Sequence, residues 1–450
     1  MAPRAEHPSS ERRLRVLVIA EAANPEWVSV PLIGWSLASA LRDLADVHIV
    51  TQIRNREAFL RAGLIEGEDF TAIDSEAIAS PVYKLASILR MGEGKGWTMI
   101  SALMGKFAYP YFERLLWRQF GRDIAEKKYD IVHRITPLTP TANSSVAAKC
   151  AKAGVPFVMG PLNGGVPWPK GFDAERRRER EWLSYVRGIY KFSFARKRML
   201  NAATAIISGS RYTASELPKA HRAKVTLIPE NAIEPSRFDH GTAKRTEPNR
   251  PLRGSFVGRL VPYKGPDILI EAAEPFLRDG TLALDFIGNG PMEDALKAKV
   301  TEAGLDNAVT FHGWVEHTNV QNILAQADML TFPSVREFGG GVVLEAMALG
   351  VVPVVCNYAG PSELVDDHTG NRVAMGDRAE VVANFRETLR GILDDPQQLA
   401  AKSEAALAQV AAYYTWRRKA AQIVQIYDWA LSGEGSIPAP IPFDAPLWQD

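Results

Sequence analysis

The sequence contains few cysteines and carries almost no net charge. Its 450 residues include only Cys150 and Cys356, which lie too far apart to predict a disulfide framework or a metal-binding pattern. We therefore expect two buried, reduced thiols in a cytoplasmic protein. The 53 basic and 52 acidic residues leave a net charge of +1. Because nucleic-acid-binding proteins usually carry a basic excess, we expect no nucleic-acid partner and only local recognition of anions.

The sequence also lacks a long apolar run. Residues 16–20 are apolar, but Glu21 ends this run before it reaches the length of a signal-peptide core. The uncharged stretch of residues 346–362 is interrupted by Gly350 and Pro353, so we expect no transmembrane helix. The 46% apolar and 23% charged residues are typical of a globular protein, and the length allows two or three domains.

Short runs of Val, Ile and Leu alternate with longer segments of helical periodicity along the chain. Continuous apolar runs are typical of buried parallel strands, and this alternation predicts two open α/β sheets. The strands predicted in the first half are residues 14–20, 47–51, 131–133, 156–159, 205–208 and 225–228. Those predicted in the second half are residues 254–257, 282–287, 309–311, 329–332 and 352–355.

A polar segment with several prolines, residues 233–251, predicts the connection between two domains. The first predicted domain spans residues 1–235 and the second residues 250–413. A helix over about residues 415–431 is expected to pack back on the first domain, and residues 432–450 form a proline-rich tail without regular structure. Open α/β sheets bind ligands beyond the carboxyl ends of their strands, so the cleft between two facing sheets is the expected site.

The loop after the predicted strand 254–257 contains groups suited to phosphate. Gly258, Arg259 and Lys264 precede a helix that begins at about Pro266. A guanidinium can bind two phosphate oxygens, a lysine adds a point charge, and a helix N-terminus presents free N–H groups. A phosphate clamp is one interpretation and a solvated surface loop is the other. The spacing of the glycine and the lysine excludes a Walker loop.

A second loop places three glycines between two glutamates, after the predicted strand 329–332. Glu337 precedes the glycines, and Glu345 lies one to two turns inside the following helix. Consecutive glycines expose backbone N–H groups, and ionised carboxylates accept hydrogen bonds from sugar hydroxyls. We expect the two carboxylates to meet different parts of one elongated ligand. The alternative for Glu345 is a buried carboxylate that caps neighbouring amides.

Together these loops resemble the retaining glycosyltransferases of family 4, which have the GT-B fold of two Rossmann-like domains facing a central cleft. The resemblance covers about residues 229–373 and resumes weakly over residues 416–427. It implies a hexosyltransferase-like enzyme that moves a sugar from a nucleotide-diphosphate sugar to an acceptor hydroxyl with retention of configuration. Polysaccharide or glycoconjugate biosynthesis is the implied setting, without a cofactor or a required metal ion. The sequence offers no assigned nucleophile, so a front-face mechanism is implied.

The resemblance also implies roles for individual residues. Arg259 and Lys264 would hold the diphosphate, and Glu345 would accept hydrogen bonds from the ribose hydroxyls. Glu337 would accept hydrogen bonds from the transferred sugar. The remaining implied donor-binding residues are Gly258, Phe338, Gly339, Gly340, Gly341 and Val342, with Trp314 and Val315 near the base. The implied catalytic residues are Glu337, His133, Arg259 and Lys264.

The first half resembles the family less closely. His133 ends a predicted strand, and in the family a histidine in that setting faces the donor sugar; the alternative is a structural histidine. Residues 160–165 follow another strand and form either a backbone-lined cleft wall or a plain turn. The glycine pair that the family has after the first strand is missing from residues 21–26.

Two aromatic, basic stretches remain. Residues 174–200 contain nine basic and three acidic residues with interleaved aromatics. They would bind an anionic membrane surface or a lipid-linked acceptor, unless they form a solvated helix face. Residues 95–120 are expected to be an insertion on the acceptor side. The acceptor is a sugar, a lipid-linked molecule or another small molecule, and the protein is expected in the cytoplasm or at the cytoplasmic face of a membrane.

Two other functions fit the same architecture. One is a nucleotide-sugar epimerase or a sugar-phosphate synthase, and the other is a non-catalytic nucleotide-sugar sensor, because fold does not determine function. Glu337, Glu345, Arg259 and Lys264 together favour an active enzyme.

Overall fold

The computed structural model of the chain describes residues 12–79, 81, 108–178, 193–238, 250–443 and 447–448. Its strands form two parallel sheets, with the orders β3-β2-β1-β4-β5-β6-β7 and β10-β9-β8-β11-β12-β13. The first sheet contains β1 Arg15–Ala20, β2 Asp46–Gln52, β3 Phe70–Ile73, β4 Ile131–Thr136, β5 Phe157–Leu162, β6 Ala205–Ser208 and β7 Val225–Leu227. The second contains β8 Leu252–Val257, β9 Leu282–Ile287, β10 Val309–Gly313, β11 Met329–Phe332, β12 Val352–Cys356 and β13 Asn371–Val373.

Helices connect these strands, as parallel pairing requires. In the first domain they are α1 Val30–Arg42, α2 Arg56–Arg61, α3 Tyr109–Ala125, α4 Val146–Ala153, α5 Asp173–Arg178, α6 Phe194–Ala202 and α7 Arg211–Ser215. In the second they are α8 Pro266–Arg278, α9 Glu293–Glu302, α10 His317–Leu324, α11 Gly341–Ala348, α12 Ala359–Leu364, α13 Arg378–Asp394 and α14 Gln398–Tyr413, and α15 Trp416–Ser432 follows. The architecture confirms the predicted α/β class with two Rossmann-like sheets.

The predicted strands are all present, and the sequence analysis missed two others. β1 shows why the apolar runs were informative: residues 16–20 are all buried, since β1 pairs with β2 on one side and β4 on the other. The missed strands β3 and β13 are short and lie at one edge of each sheet. An edge strand is buried less completely, so its sequence needs no continuous apolar run.

Strand order reverses once in each sheet and so locates the expected ligand crevice. β1 lies beside β4 in the first sheet, and β8 lies beside β11 in the second. In open parallel sheets, ligands bind beyond the carboxyl ends of the strands at such a point. The loop with Lys264 follows β8 and the loop with Glu337 follows β11, so both sequence-predicted loops lie at the second reversal.

The end of the chain returns to the first domain. Helix α15 packs against α1, and Tyr427 contacts His133 in the first sheet. Beyond it, the carbonyl of Pro438 accepts a hydrogen bond from Thr226 Oγ1 at 2.6 Å, and Ile441 is buried. Residues 239–249, in the predicted interdomain connection, lie outside the described part of the chain.

Cys150 and Cys356 are both free and buried, as predicted. No helix in the described ranges combines the length and the apolar character that crossing a membrane demands. Within the same ranges, no three or more His, Cys, Asp and Glu side chains gather as metal ligands would.

Candidate functional site

Lys264 and Glu337 meet at the reversal point of the second sheet. Lys264 Nζ donates a hydrogen bond to Glu337 Oε2 at 2.6 Å and lies 5.1 Å from the centroid of the Phe332 ring. Burial lowers the pKa of Lys264, but the charge and hydrogen bond of Glu337 outweigh it, so the pKa lies above its ordinary value. Lys264 is therefore a cation held beside a carboxylate that lies far away in the sequence.

Glycines allow the two loops to approach closely. Gly265 has φ +68° and precedes α8, and a Cβ there would lie 2.6 Å from the carbonyl oxygen of Pro333. Gly258 has φ +143°, and its Cβ would lie 3.2 Å from Lys264 Cδ. Both positions therefore require glycine for conformation and for space.

Arg259 lies on the same loop but is exposed. Its positive charge acts on Lys264, lowering the pKa of that lysine less than Glu337 raises it. Within the described residues, no hydrogen bond or ion pair of Arg259 is found. The two predicted clamp residues thus differ: Lys264 is paired within the protein, whereas Arg259 extends toward solvent.

The glycine run packs against the segment that leaves the first domain. Gly340 has φ +59° and precedes α11, and a Cβ on Gly339 would overlap Glu230 Oε1. A Cβ on Gly341 would lie 3.3 Å from Asn231 Oδ1. The glycines therefore give Glu230 and Asn231 room beside the loop.

Glu230 is a buried carboxylate that the sequence analysis did not identify as a site residue. It is 4% exposed, and Asn163 Nδ2 lies 2.7 Å from each of its oxygens. The same Nδ2 donates to the carbonyl of Phe338 at 3.1 Å. Burial raises the pKa of Glu230, while Asn163 and the positive charge of Lys419 oppose that rise. Asn163 thus links the first domain to the glycine loop, in agreement with the cleft-wall interpretation of residues 160–165.

Lys419 connects helix α15 to the same junction. Its Nζ donates hydrogen bonds to the carbonyl of Pro229 and, at 2.7 Å, to that of Asn231. Burial lowers the pKa of Lys419 to about 7, although the nearby Glu230 acts in the opposite direction. The returning helix therefore holds the end of the first domain beside the glycine loop.

The segment after β5 crosses to the second domain. The carbonyl of Val166 accepts a hydrogen bond from Arg336 Nε at 3.0 Å, and the Trp168 ring lies 6.3 Å from Tyr263, edge to face. Phe172 is buried in the hydrophobic core of the second domain. The wall of the cleft is therefore packed against the loops that carry Lys264 and Glu337.

His133 lies in a different environment from the predicted one. It is fully buried, with Nε2 2.8 Å from the carbonyl of Gly160 and Nδ1 2.6 Å from the Tyr427 hydroxyl. The carbonyl can only accept, so Nε2 carries the proton and Nδ1 accepts from Tyr427. Burial lowers the pKa of His133 to about 4, with a further lowering from Arg134, so the ring is neutral. Both nitrogens are engaged within the protein, and neither is open to a sugar in this arrangement.

Glu345 faces surroundings different from those of Glu337. It is half-buried and lies beside Arg237, Phe238 and Gln321. Val315 is partly buried, whereas Trp314 is 69% exposed just after β10. The two carboxylates that flank the glycines thus have different neighbours.

A second interdomain carboxylate, Glu363, lies on α12. Its oxygens accept hydrogen bonds from the backbone N–H of Arg211 at 3.0 and 2.9 Å. Burial raises the pKa of Glu363 to about 7, opposed by Arg211 and reinforced by the charge of Glu230. The sequence analysis did not identify this residue as part of the site, because its partner is in the other domain.

The loops with Lys264 and Glu337 lie within a segment with known relatives. Residues 242–409 match the family model described as Glycosyl transferases group 1. A glycogen synthase of Mycobacterium tuberculosis is 33% identical over 217 residues, which is 47% of this chain and 50% of the relative. A D-inositol 3-phosphate glycosyltransferase of Arthrobacter sp. is 28% identical over 247 residues, covering 52% of this chain and 58% of the relative. The chain spans about half the length of these curated relatives.

Solved structures resemble nearly the whole chain. A glycosyltransferase from Rickettsia africae has a TM-score of 0.60 and 14% identity, and covers 94% of this chain and 100% of its own. Anabaena HepE in complex with UDP has a TM-score of 0.57 and 16% identity, and covers 91% of this chain and 98% of its own. At these identities the likeness concerns the fold, which is of the GT-B type.

Proposed function

We propose that the chain is a retaining glycosyltransferase that uses a nucleotide-diphosphate sugar, and the match of residues 242–409 to the glycosyl transferases group 1 supports this. The observation that supports this most strongly is the Lys264–Glu337 pair at the reversal point of the second sheet, with Arg259 exposed beside it. A cation and a carboxylate side by side suit a ligand that joins a diphosphate to a sugar.

In this proposal, the diphosphate binds Arg259 and Lys264. Charge develops on the diphosphate as the bond to the sugar breaks, and fixed positive groups stabilise that charge directly. Each charge-assisted hydrogen bond contributes about 1.5–3 kcal/mol. These two cations would supply the positive charge at the leaving group, so we propose that transfer needs no metal ion.

The two carboxylates accept hydrogen bonds from hydroxyl groups of the donor. Glu337 accepts from the transferred sugar, because its partner Lys264 holds the adjoining phosphate. Glu345 accepts from the ribose, and the exposed Trp314 ring offers a face for the base. The HepE complex contains UDP, which supports a nucleoside diphosphate as the shared part of the donor.

The acceptor hydroxyl would approach from the first domain. His133 has both ring nitrogens engaged, so we propose that it positions α15 beneath the sheet and does not act on the sugar. The departing diphosphate would then take the acceptor proton on the same face of the sugar, as in the front-face mechanism.

We also propose that the first domain contacts an anionic membrane surface. Phe194 is 80% exposed at the start of α6, and Lys197 and Arg198 are exposed on the same helix. An exposed aromatic ring among cations suits the headgroup region of a bilayer. Residues 179–192, the centre of the basic aromatic stretch, lie outside the described part of the chain.

Replacing Glu337 tests the proposal. Glu337→Gln removes the charge with little change in shape, and we expect it to abolish sugar transfer while UDP binding, measured by calorimetry, persists. The assays are run in EDTA, with donor hydrolysis followed in parallel. Glu404→Gln on α14 is the matched control, because Glu404 is exposed and is distant from Glu337 in the sequence. Unchanged turnover in Glu337→Gln, or loss of UDP binding with it, would contradict the assignment.

A further inference from the structure

Arg134 is a buried arginine with one edge of its guanidinium unused. It lies on β4 and is fully buried. Nη1 donates to the carbonyl of Ala142 at 2.8 Å and lies 3.8 Å from Met199 Sδ. Nε and Nη2 have no hydrogen-bond partner, and no carboxylate in the described ranges forms an ion pair with this side chain. Two N–H groups of a buried, charged side chain therefore have no partner.

These two nitrogens form one side of the guanidinium. Their N–H groups point in parallel and match the spacing of two oxygens of a phosphate or a carboxylate. An arginine cannot lose its proton to escape the cost of burial, which is large for an unpaired ion. A water molecule would accept hydrogen bonds from these N–H groups but would not neutralise the charge of the guanidinium. An oxyanion would do both.

Within the described residues, no ion pair joins a carboxylate to this edge. The Tyr109 ring lies 6.0 Å from Arg134 Cζ. The nearby carboxylate Glu113 is held by Ser145, whose backbone N–H lies 2.6 Å from its Oε2, and by the Ser144 hydroxyl. Asn143 follows the carbonyl that Arg134 holds, and its buried Oδ1 also lacks a partner, so it could accept from a hydroxyl group.

Arg134 also lies where the first sheet would bind a ligand. It is two residues from Thr136, the end of β4, at the reversal point between β1 and β4. Thr136 Oγ1 accepts a hydrogen bond at 3.0 Å from the N–H of Ala22 in the loop after β1. Because side chains alternate along a strand, Arg134 lies on the opposite face of β4 from His133 and the returning helix.

We propose that the Nε–Nη2 edge of Arg134 binds an oxyanion, a phosphate or a carboxylate, carried by the acceptor. The anion site rests on Arg134, and its assignment to the acceptor rests on the proposed glycosyltransferase function. The acceptor would therefore be an anionic molecule whose charged group enters the first domain, while its reacting hydroxyl lies toward the cleft.

Inorganic phosphate and acetate are the probes for this site. Phosphate would also bind the donor clamp, so the experiments use Arg259→Ala as the parent, which removes an exposed cation without disturbing the core. We expect phosphate, acetate or both to raise the thermal unfolding temperature of the parent, because a ligand of the native state stabilises it. Adding Arg134→Met should abolish this rise in unfolding temperature. Adding Arg134→Lys should weaken it, since lysine keeps the positive charge but lacks the two parallel N–H groups of the guanidinium.

The variants also report on the cost of the unpaired charge. Without phosphate or acetate, Arg134→Met should unfold at no lower temperature than the parent, because it removes a buried ion that forms no ion pair with a carboxylate. Arg134→Gln serves as a second uncharged variant if the methionine variant does not fold. A rise with acetate alone that depends on Arg134 identifies a carboxylate, and a rise with phosphate alone identifies a phosphate.

Two results would overturn the proposal: no rise with either anion in the Arg259→Ala parent, or an equal rise when Arg134→Met is added. Calorimetry with UDP in the otherwise unmodified chain separates this inference from the proposed function. Arg134→Met should leave UDP binding unchanged. If UDP does not bind at all, the donor assignment fails while the Arg134-dependent anion response still stands.

Discussion

Replacing Glu363 by glutamine should remove a pH dependence of stability from this protein. Glu363 joins the domains by accepting the backbone N–H of Arg211, and burial raises the pKa of its carboxyl group to about 7. Glutamine has nearly the same shape and keeps one acceptor oxygen for that N–H group, but it does not titrate. The substitution therefore isolates the ionisation of this one side chain.

The direction and size of this pH dependence follow from the pKa of Glu363 in the unfolded and folded states. In the unfolded chain the carboxyl ionises near 4.5, whereas in the folded chain it retains its proton up to about 7. The folded state thus binds more protons in this window, and the free energy of unfolding falls as the pH rises. At 1.36 kcal/mol per pH unit, the difference corresponds to about 3 kcal/mol. This contribution is complete below about pH 4.5 and is lost as the pH rises through about 7.

Urea unfolding between about pH 5 and pH 8 measures this contribution in the wild type and in Glu363→Gln. We expect the stability of the wild type relative to the variant to fall by about 2–3 kcal/mol across that range. Other groups that titrate there, such as Lys419, contribute equally to both proteins and cancel in the comparison. If the two pH profiles are parallel, Glu363 is ionised in the folded state and the reasoning about its burial is wrong.

Two further predictions concern packing and surface contact. Gly339→Ala places a methyl group against Glu230, and we expect it to lower the free energy of unfolding by about 1–3 kcal/mol in urea titrations, as overpacking does. Gly391→Ala on α13, where a Cβ meets nothing within 4 Å, should instead stabilise by about 0.5–1 kcal/mol; equal effects of the two would contradict the packing argument. Phe194→Ala combined with Arg198→Glu should reduce cosedimentation with liposomes that contain anionic lipid, and binding that does not depend on lipid charge would exclude the proposed membrane contact.

The placement of Lys264 and Glu337 could be predicted because each residue follows a strand with a clear apolar pattern. Gly258 and Lys264 follow β8, and Glu337 follows β11, so the alternation of elements was enough to bring them to one edge. The Lys264–Glu337 contact needed only the rule that parallel strands present their carboxyl ends together.

The domain junction could not be predicted in the same way. Glu230, Asn163 and Lys419 each have ordinary local sequence contexts, and their partners come from three distant parts of the chain. A buried carboxylate is recognisable only when its neighbours are known, because burial and hydrogen bonding, not the residue type, shift its pKa.

The environment of His133 also could not be predicted from the sequence. Its position at the end of the predicted strand suggested a group facing a ligand. However, β4 continues to Thr136, and helix α15 returns from the far end of the chain and places Tyr427 against the ring. Helix periodicity predicted that α15 exists, but the sequence pattern contains no information about which strand face it covers.

The amino-acid sequence determined the two parallel sheets, the loops that follow their strands and the residue types in those loops, because these depend on periodicity and on local spacing. The tertiary structure decided which side chains are buried, which are paired and which keep an unused hydrogen-bonding edge. The local sequence around Arg134 and Glu363 does not distinguish these residues from other charged residues. Their chemistry arises from the low-polarity surroundings that distant segments create, since the cost of a buried charge depends on every group packed around it.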